Sequence, residues 1–267
     1  MEKAGRHHRL FQAIVLLVLA IGQIATARLT EFLGIGQAVE IRSAVLGHPL
    51  VPWKYAFIIW GFIYFYSLVA AIWQVLPRQR HDTALLASGW NIAGVYLVNC
   101  IWQVWVPVMD IDWISVALIV IGLFFGINGL LQLKALGGLT RRERFFIYSP
   151  LALVTGWLTA AAFVNFTSAM LGTGIGLDPT ELWVSALFLV ALIAFGGYMV
   201  WVICSSVYAT ALVWALFWIL MANLHREHEP VMVWLAAFGI VAVVAMRIVT
   251  MVLRPFIPKA QRIEIAQ

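Results

Sequence analysis

Residues 182–222 read LWVSALFLVALIAFGGYMVWVICSSVYATALVWALFWILMA, a run without one charged side chain. About 20 apolar residues suffice to cross the roughly 30 Å hydrocarbon core of a bilayer as a helix, so this run is about twice too long for one crossing. Cys204-Ser205-Ser206 near its middle is the natural tight turn and predicts a hairpin of two spans. Lipid offers no hydrogen bonds to the backbone, so each spanning segment must satisfy its own, which selects helices. The polar–apolar alternation of a membrane barrel is absent. The fold class is all-α, a polytopic membrane helical bundle.

The same texture continues on both sides of the hairpin. Toward the N-terminus it predicts spans over about Leu10–Ala27, Tyr55–Leu76, Leu85–Val106, Trp113–Leu133 and Phe145–Met170, the third ending at Pro107. Toward the C-terminus it predicts one over about Val231–Leu253, with Pro255 and Pro258 beyond. Asp178-Pro179-Thr180-Glu181 reads as the capped start of the sixth span, its acids suited to the helix dipole. These are eight spans in one integral unit, read as five over residues 1–177 and three more with a tail over 178–267. Ala25-Thr26-Ala27 resembles a signal-peptidase site, but the long apolar run interrupted by Gln12 and Gln23 favours a retained helix. The longest loop, about Arg28 to Lys54, reads as a short extracytoplasmic helix or lid.

Charge orients the bundle. With eight spans, Lys3, Arg6, Arg9, Arg78, Arg80, Lys134, Arg141, Arg142, Arg144, Arg254, Lys259 and Arg262 fall on one side, and only Arg28, Arg42, Lys54 and Arg226 on the other. Both termini are therefore expected in the cytoplasm. The net charge of +5 reflects this rule and attraction to anionic membrane lipid, with no nucleic-acid partner implied. The two cysteines, Cys100 and Cys204, lie on different spans, which leaves neither a disulfide framework nor a metal knuckle.

The spans are poor in acid–base chemistry. No carboxylate pair, Ser–His arrangement or acidic relay falls within them, as a proton-coupled pump or intramembrane hydrolase would need. Arg247 lies about two turns from the end of the last span and can snorkel. His225 and His228 flank Glu227 without a third convergent ligand, so no metal is expected there. Asn91, Asn99, Gln103, Asn128, Thr155, Thr159, Asn165 and Thr167 lie at bilayer depth. Each reads either as helix–helix glue, at about 0.6 kcal/mol per bond, or as the lining of a pocket.

Aromatic residues add a sharper signal. Trp53, Trp113, Trp183 and Trp234 fall near span ends as an interfacial belt, whereas Trp60, Trp102, Trp105, Trp157, Trp214 and Trp218 fall deeper. Asn99 precedes Trp102 by three residues on one helix face, and Trp157 and Asn165 are a little over two turns apart. Deep indoles beside amides suit a flat, apolar ligand with a few polar edges, and equally suit close packing by bulky groups. Asn99, Trp102, Trp157 and Asn165 are expected around one cavity between spans three and five.

Three segments carry a family likeness: Trp60-Gly61-Phe62-Ile63-Tyr64, Asn99-Cys100-Ile101-Trp102, and Trp157-Leu158-Thr159-Ala160-Ala161-Ala162-Phe163-Val164-Asn165. In order and spacing they resemble the second, third and fifth helices of the translocator protein family, also called tryptophan-rich sensory proteins (TspO/MBR). The chain departs from the usual members in its three added spans and in Lys54-Tyr55-Ala56-Phe57-Ile58-Ile59, which lacks the family's Gly-Pro. It looks like a longer bacterial branch. The resemblance implies a five-helix core with an aromatic pocket, and ligand contacts at Phe57, Trp60, Tyr64, Asn99, Trp102, Trp105, Trp157 and Asn165. It implies binding of a hydrophobic small molecule, such as a porphyrin-type tetrapyrrole or other polycyclic lipid, in a bacterial inner membrane, with no cofactor required.

A non-enzymatic sensory or binding role is the expectation, the one exception being tryptophan-dependent porphyrin oxidation as proposed for relatives. A transporter or flippase of a lipid-like solute and a docking subunit of a membrane complex are the alternatives. Ala93, Gly94, Ala160 and Ala161 suit either packing inside the bundle or a homodimer interface.

Overall fold

The computed structural model describes residues 2–79 and 82–253. Among them all regular structure is helical: α1 (Glu2–Leu33), α2 (Val39–Val45), α3 (Ile59–Val75), α4 (Thr83–Met109), α5 (Trp113–Ala135), α6 (Arg141–Glu143), α7 (Ser149–Thr173), α8 (Leu182–Ile203), α9 (Ser206–Ala222) and α10 (Pro230–Leu253). A 3-10 turn, Lys54–Ile58, leads into α3, and a π-turn, Arg144–Tyr148, joins α6 to α7. Eight helical segments are long and apolar enough to cross a membrane, which makes this an integral, multi-pass membrane protein. Arg80, Arg254, Pro255, Pro258, Lys259 and Arg262, used in the reading of spans and charge, lie outside the described residues.

Local chemistry explains where the spans begin and end. At the hairpin, Cys204 closes α8 in the left-handed conformation (φ 60°), and the Ser205 side chain caps α9 by accepting from Tyr208 N at 3.3 Å. The Asp112 and Ser115 side chains form a reciprocal capping box at the start of α5. Two expectations shift. α4 does not stop at Pro107 but runs to Met109, since a proline near a helix end removes only one late backbone bond. The acidic stretch before α8 does not cap it: Glu181 makes no side-chain cap, and Asp178 instead accepts from Thr180 N at 2.9 Å.

Pro107 matters for what lies above it. Its carbonyl, one of the last of α4, accepts from Gln37 N at 2.9 Å and from Arg42 at 3.1 Å, while Arg42 also pairs with Asp110 at 2.9 Å. Gly36 lies against this carbonyl at φ +71°, a place where any Cβ would meet the Pro107 backbone. The segment between α1 and α3, expected as a helix or lid, therefore carries the short helix α2 and is tied to the end of α4.

The three C-terminal spans do not stand apart. α9 packs on α7 as well as on α10. Gly156 on α7 permits the approach, because a Cβ there would sit 2.6 Å from the Tyr208 carbonyl oxygen. Across the same contact the Tyr208 and Thr159 hydroxyls bond at 2.6 Å, both buried. Asn91 donates to Gln132 at 2.8 Å and accepts from Asn128 at 3.0 Å, which fastens α4 to α5.

Candidate functional site

Phe57, Trp60 and Tyr64 succeed one another by one turn and share a face where the chain enters and follows α3. Trp60 is the hub. Its ring stacks on Tyr64 at 5.4 Å, lies 5.9 Å from Trp102 of α4, and meets Trp157 of α7 edge-on at 6.0 Å. Phe57 also meets Trp157 edge-on, at 6.2 Å. Four such contacts at about 0.5–1.5 kcal/mol each beyond their burial give this corner a rigid wall.

Two spaces adjoin the wall. Behind it lies an apolar cavity of about 30 Å³, bounded by Trp60, Trp102, Trp157, Asn165 and, from α9, Ala215 and Ile219. That volume holds a water or two at most. In front lies a cleft of about 970 Å³ between α1 and α3, bounded beyond them by α4's Gln103 and roofed by residues 34–41. Its size falls at the upper end for small-molecule sites. Val39, Phe57 and Trp60 line both spaces and so form the partition between them.

The Nε1–H groups of Trp60, Trp102 and Trp157 are buried without hydrogen-bond partners. Leaving a buried donor unpaired costs about 1–3 kcal/mol, and the three residues that carry them line one cavity. Among the described residues no titratable side chain lines that cavity, whereas Arg28, Glu40 and Tyr64 border the cleft. The result is a small apolar space whose wall includes three tryptophans with unpaired indole donors.

Phe57, Trp60, Trp102, Trp157 and Asn165 come together at the cavity, and Tyr64 lines the cleft, where its hydroxyl accepts from Gln103. Asn165 keeps local bonds as well: its amide donates to the Ala161 carbonyl at 3.2 Å. Asn99 does not join them. It donates to Gln23 of α1 at 3.0 Å, because three residues leave it about 60° around the helix from Trp102, on the seam with α1. Trp105 is also elsewhere, donating to Asp112 at 3.0 Å and bracing the α4–α5 turn. Of the small residues, Ala160 and Ala161 line the cavity, and Gly94 faces the Phe125 ring within the chain.

Sequence reasoning missed the contribution of α9. Ala215 and Ile219 lie one turn apart on its buried face, but a charge-free hairpin carries no mark of which face turns inward. It also missed the anchoring of the segment before α3. Asn223 donates to Pro49 O at 2.7 Å, Arg226 to Val51 O at 2.9 Å, Trp53 N to Trp218 O at 3.0 Å, and Trp214 to Ala56 O at 2.9 Å. On the other flank His48 shares a hydrogen bond of 3.0 Å with Ser168 of α7, both buried. Burial, and then the positive charge of Arg226, push the His48 imidazole down to about 3.

The profile of the TSPO-like protein family matches residues 12–250. No curated protein and no solved structure matches the chain. The match runs from α1 into α10, through the aromatic wall and through the hairpin that closes the cavity behind it, and on that extent the chain belongs to the TSPO-like protein family.

Proposed function

We propose that this membrane protein is a non-enzymatic receptor or carrier for a flat hydrophobic molecule bearing a hydrogen-bond acceptor, in the size range of a porphyrin-type tetrapyrrole or another polycyclic lipid. One observation carries the reading: three tryptophans from three different spans, each with a partnerless buried indole N–H, line a single apolar cavity behind an aromatic wall. The cleft between α1 and α3 has room for the ligand's body, and the cavity has room only for an oxygen-bearing edge. Family membership supports binding over catalysis, as does the lack of a titratable side chain in the described lining of the cavity. The basic residues at the end that carries the N-terminus support a cytoplasmic placement of both termini, in a bacterial inner membrane.

Titration of the purified protein in nanodiscs with protoporphyrin IX, followed by tryptophan quenching, tests the reading. The expected result is saturable quenching that weakens about tenfold when Trp60, Trp102 and Trp157 are all replaced by phenylalanine, which keeps the rings and removes the donors. No saturable quenching overturns the tetrapyrrole assignment. Equal affinity in the triple variant overturns the role of the indole donors.

A further inference from the structure

A second apolar space faces outward, on the flank of the bundle where lipid would lie. It is a groove of about 480 Å³ with a wholly apolar exposed lining, formed by α3 (from Ile59 to Val69), the start of α7 (Phe145, Leu153) and α9 (Thr210, Ala211, Trp214). Even Thr210 contributes no polar group, since its hydroxyl donates to Ser206 O at 2.9 Å. The π-turn before α7 takes more residues per turn than an α-helix, so Phe145 and Leu153, eight apart, reach the same groove. From Ile59 to Val69 the groove runs roughly 15 Å, ten residues at the α-helical rise. That is the depth of one leaflet of a core roughly 30 Å thick.

Cations gather at one end of this groove. Arg144 directly precedes Phe145, whose carbonyl accepts from Tyr66 OH at 2.6 Å. Arg247 of α10 reaches across to Ser206, one turn before Thr210, with Nε donating to its hydroxyl at 2.9 Å. Lys134 of α5 donates to Val202 O in the same hairpin turn, and Tyr148 OH donates to Ile203 O at 2.7 Å. The described carboxylates at this end are occupied as caps: Asp82 accepts from Ala84 N at 2.8 Å, and Glu143 from Thr140 N at 2.5 Å. The α9 N-terminus adds the positive end of its dipole. An acyl-chain groove thus ends under a positive cluster.

We infer that this groove holds an anionic glycerophospholipid, one chain lying along Phe62, Phe65 and Trp214 and the phosphate held between Arg144 and Arg247. A zwitterionic lipid would fill the groove as well but brings its own ammonium to the cationic end, so the site discriminates by headgroup charge. The site shares only Phe65 with the lining of the aromatic cleft. It uses α9 and α10, so the added spans furnish a lipid-reading surface.

The test is native mass spectrometry of the detergent-purified full chain, titrated with phosphatidylglycerol, phosphatidylethanolamine or inorganic phosphate. Phosphatidylglycerol is expected to bind at least tenfold more tightly than phosphatidylethanolamine. R144Q/R247Q should lose most of that preference, and R144K/R247K should keep it. T210F, which fills the groove and leaves the cations intact, should weaken both lipids alike without changing their ratio. Protoporphyrin IX titration of each variant checks that the rest of the bundle is intact. Equal binding of the two lipids by the wild type, an unchanged preference in R144Q/R247Q, or an unchanged affinity in T210F overturns the proposal. Displacement of the lipid by millimolar inorganic phosphate would assign the cluster to a soluble anion instead and overturns it equally. Should R144Q/R247Q not fold, the wild-type ratio and T210F still decide.

Discussion

The indole of Trp214 on α9 donates a hydrogen bond of 2.9 Å to the carbonyl of Ala56, 158 residues away in sequence. Ala56 immediately precedes Phe57, so a residue of the seventh span holds the entry to the aromatic wall. The Ala56 carbonyl also receives Ile59 N, which keeps the 3-10 turn closed when the indole is removed. Trp214→Phe should therefore leave the fold intact, cost about 1 kcal/mol of stability, and weaken protoporphyrin IX binding several-fold by loosening Phe57. Thermal melts and titration on the same sample check both. Unchanged affinity would show that the span braces the turn without affecting the site.

Asn99 and Trp102 should separate cleanly by substitution. Asn99→Leu removes the partner of the Gln23 side-chain oxygen, which is buried, and should destabilise by about 1–3 kcal/mol while the folded fraction binds ligand normally. Trp102→Leu removes a donor and a ring from the cavity, and should lower affinity more than it lowers the melting temperature. The reverse pattern would place Asn99 at the ligand.

Two glycines make a paired test of the α7–α9 contact. Gly156→Ala puts a methyl 2.6 Å from the Tyr208 carbonyl oxygen and 2.9 Å from the Ala211 Cβ, and should cost about 1–3 kcal/mol. Gly197→Ala on α8 meets nothing within 4 Å and should be neutral or slightly stabilising through helix propensity. Detergent melting temperatures that fail to distinguish the two would argue that α9 can shift without penalty.

Acid should weaken the segment that roofs the site. His48 ionises at about 6.5 when unfolded and at about 3 in the fold. The unfolded chain therefore binds the proton more readily, and the stabilisation present above pH 6.5 declines as pH falls toward 3. At pH 5 the loss is about 2 kcal/mol, 1.36 kcal/mol for each of roughly 1.5 units below the unfolded value. Melts at pH 7 and 5 should show it, and His48→Gln, able to keep a bond to Ser168, should flatten that part of the slope. A wild-type melt unchanged between the two values would mean His48 is protonated in the fold.

The eight spans and the hairpin turn at Cys204–Ser206 could be read directly, because in lipid a helix needs only length, apolarity and an internal hydrogen-bond ladder, all local properties. The depth of Trp60, Trp102 and Trp157 was likewise visible from their positions along their own spans, whereas the caps made by Asp112 and Ser205 were not read from the chain. Rotation of one helix against another was not visible either. In water a polar face marks the outside, but here both lipid and core accept the same apolar side chains, so nothing in the chain told Asn99 to turn toward Gln23 or Trp105 toward Asp112. The same blindness hid the inward face of α9 and the pinning of residues 48–56 by Ser168, Trp214, Asn223 and Arg226. Those assignments depend on contacts between residues far apart in sequence, and only packing the spans together selects them.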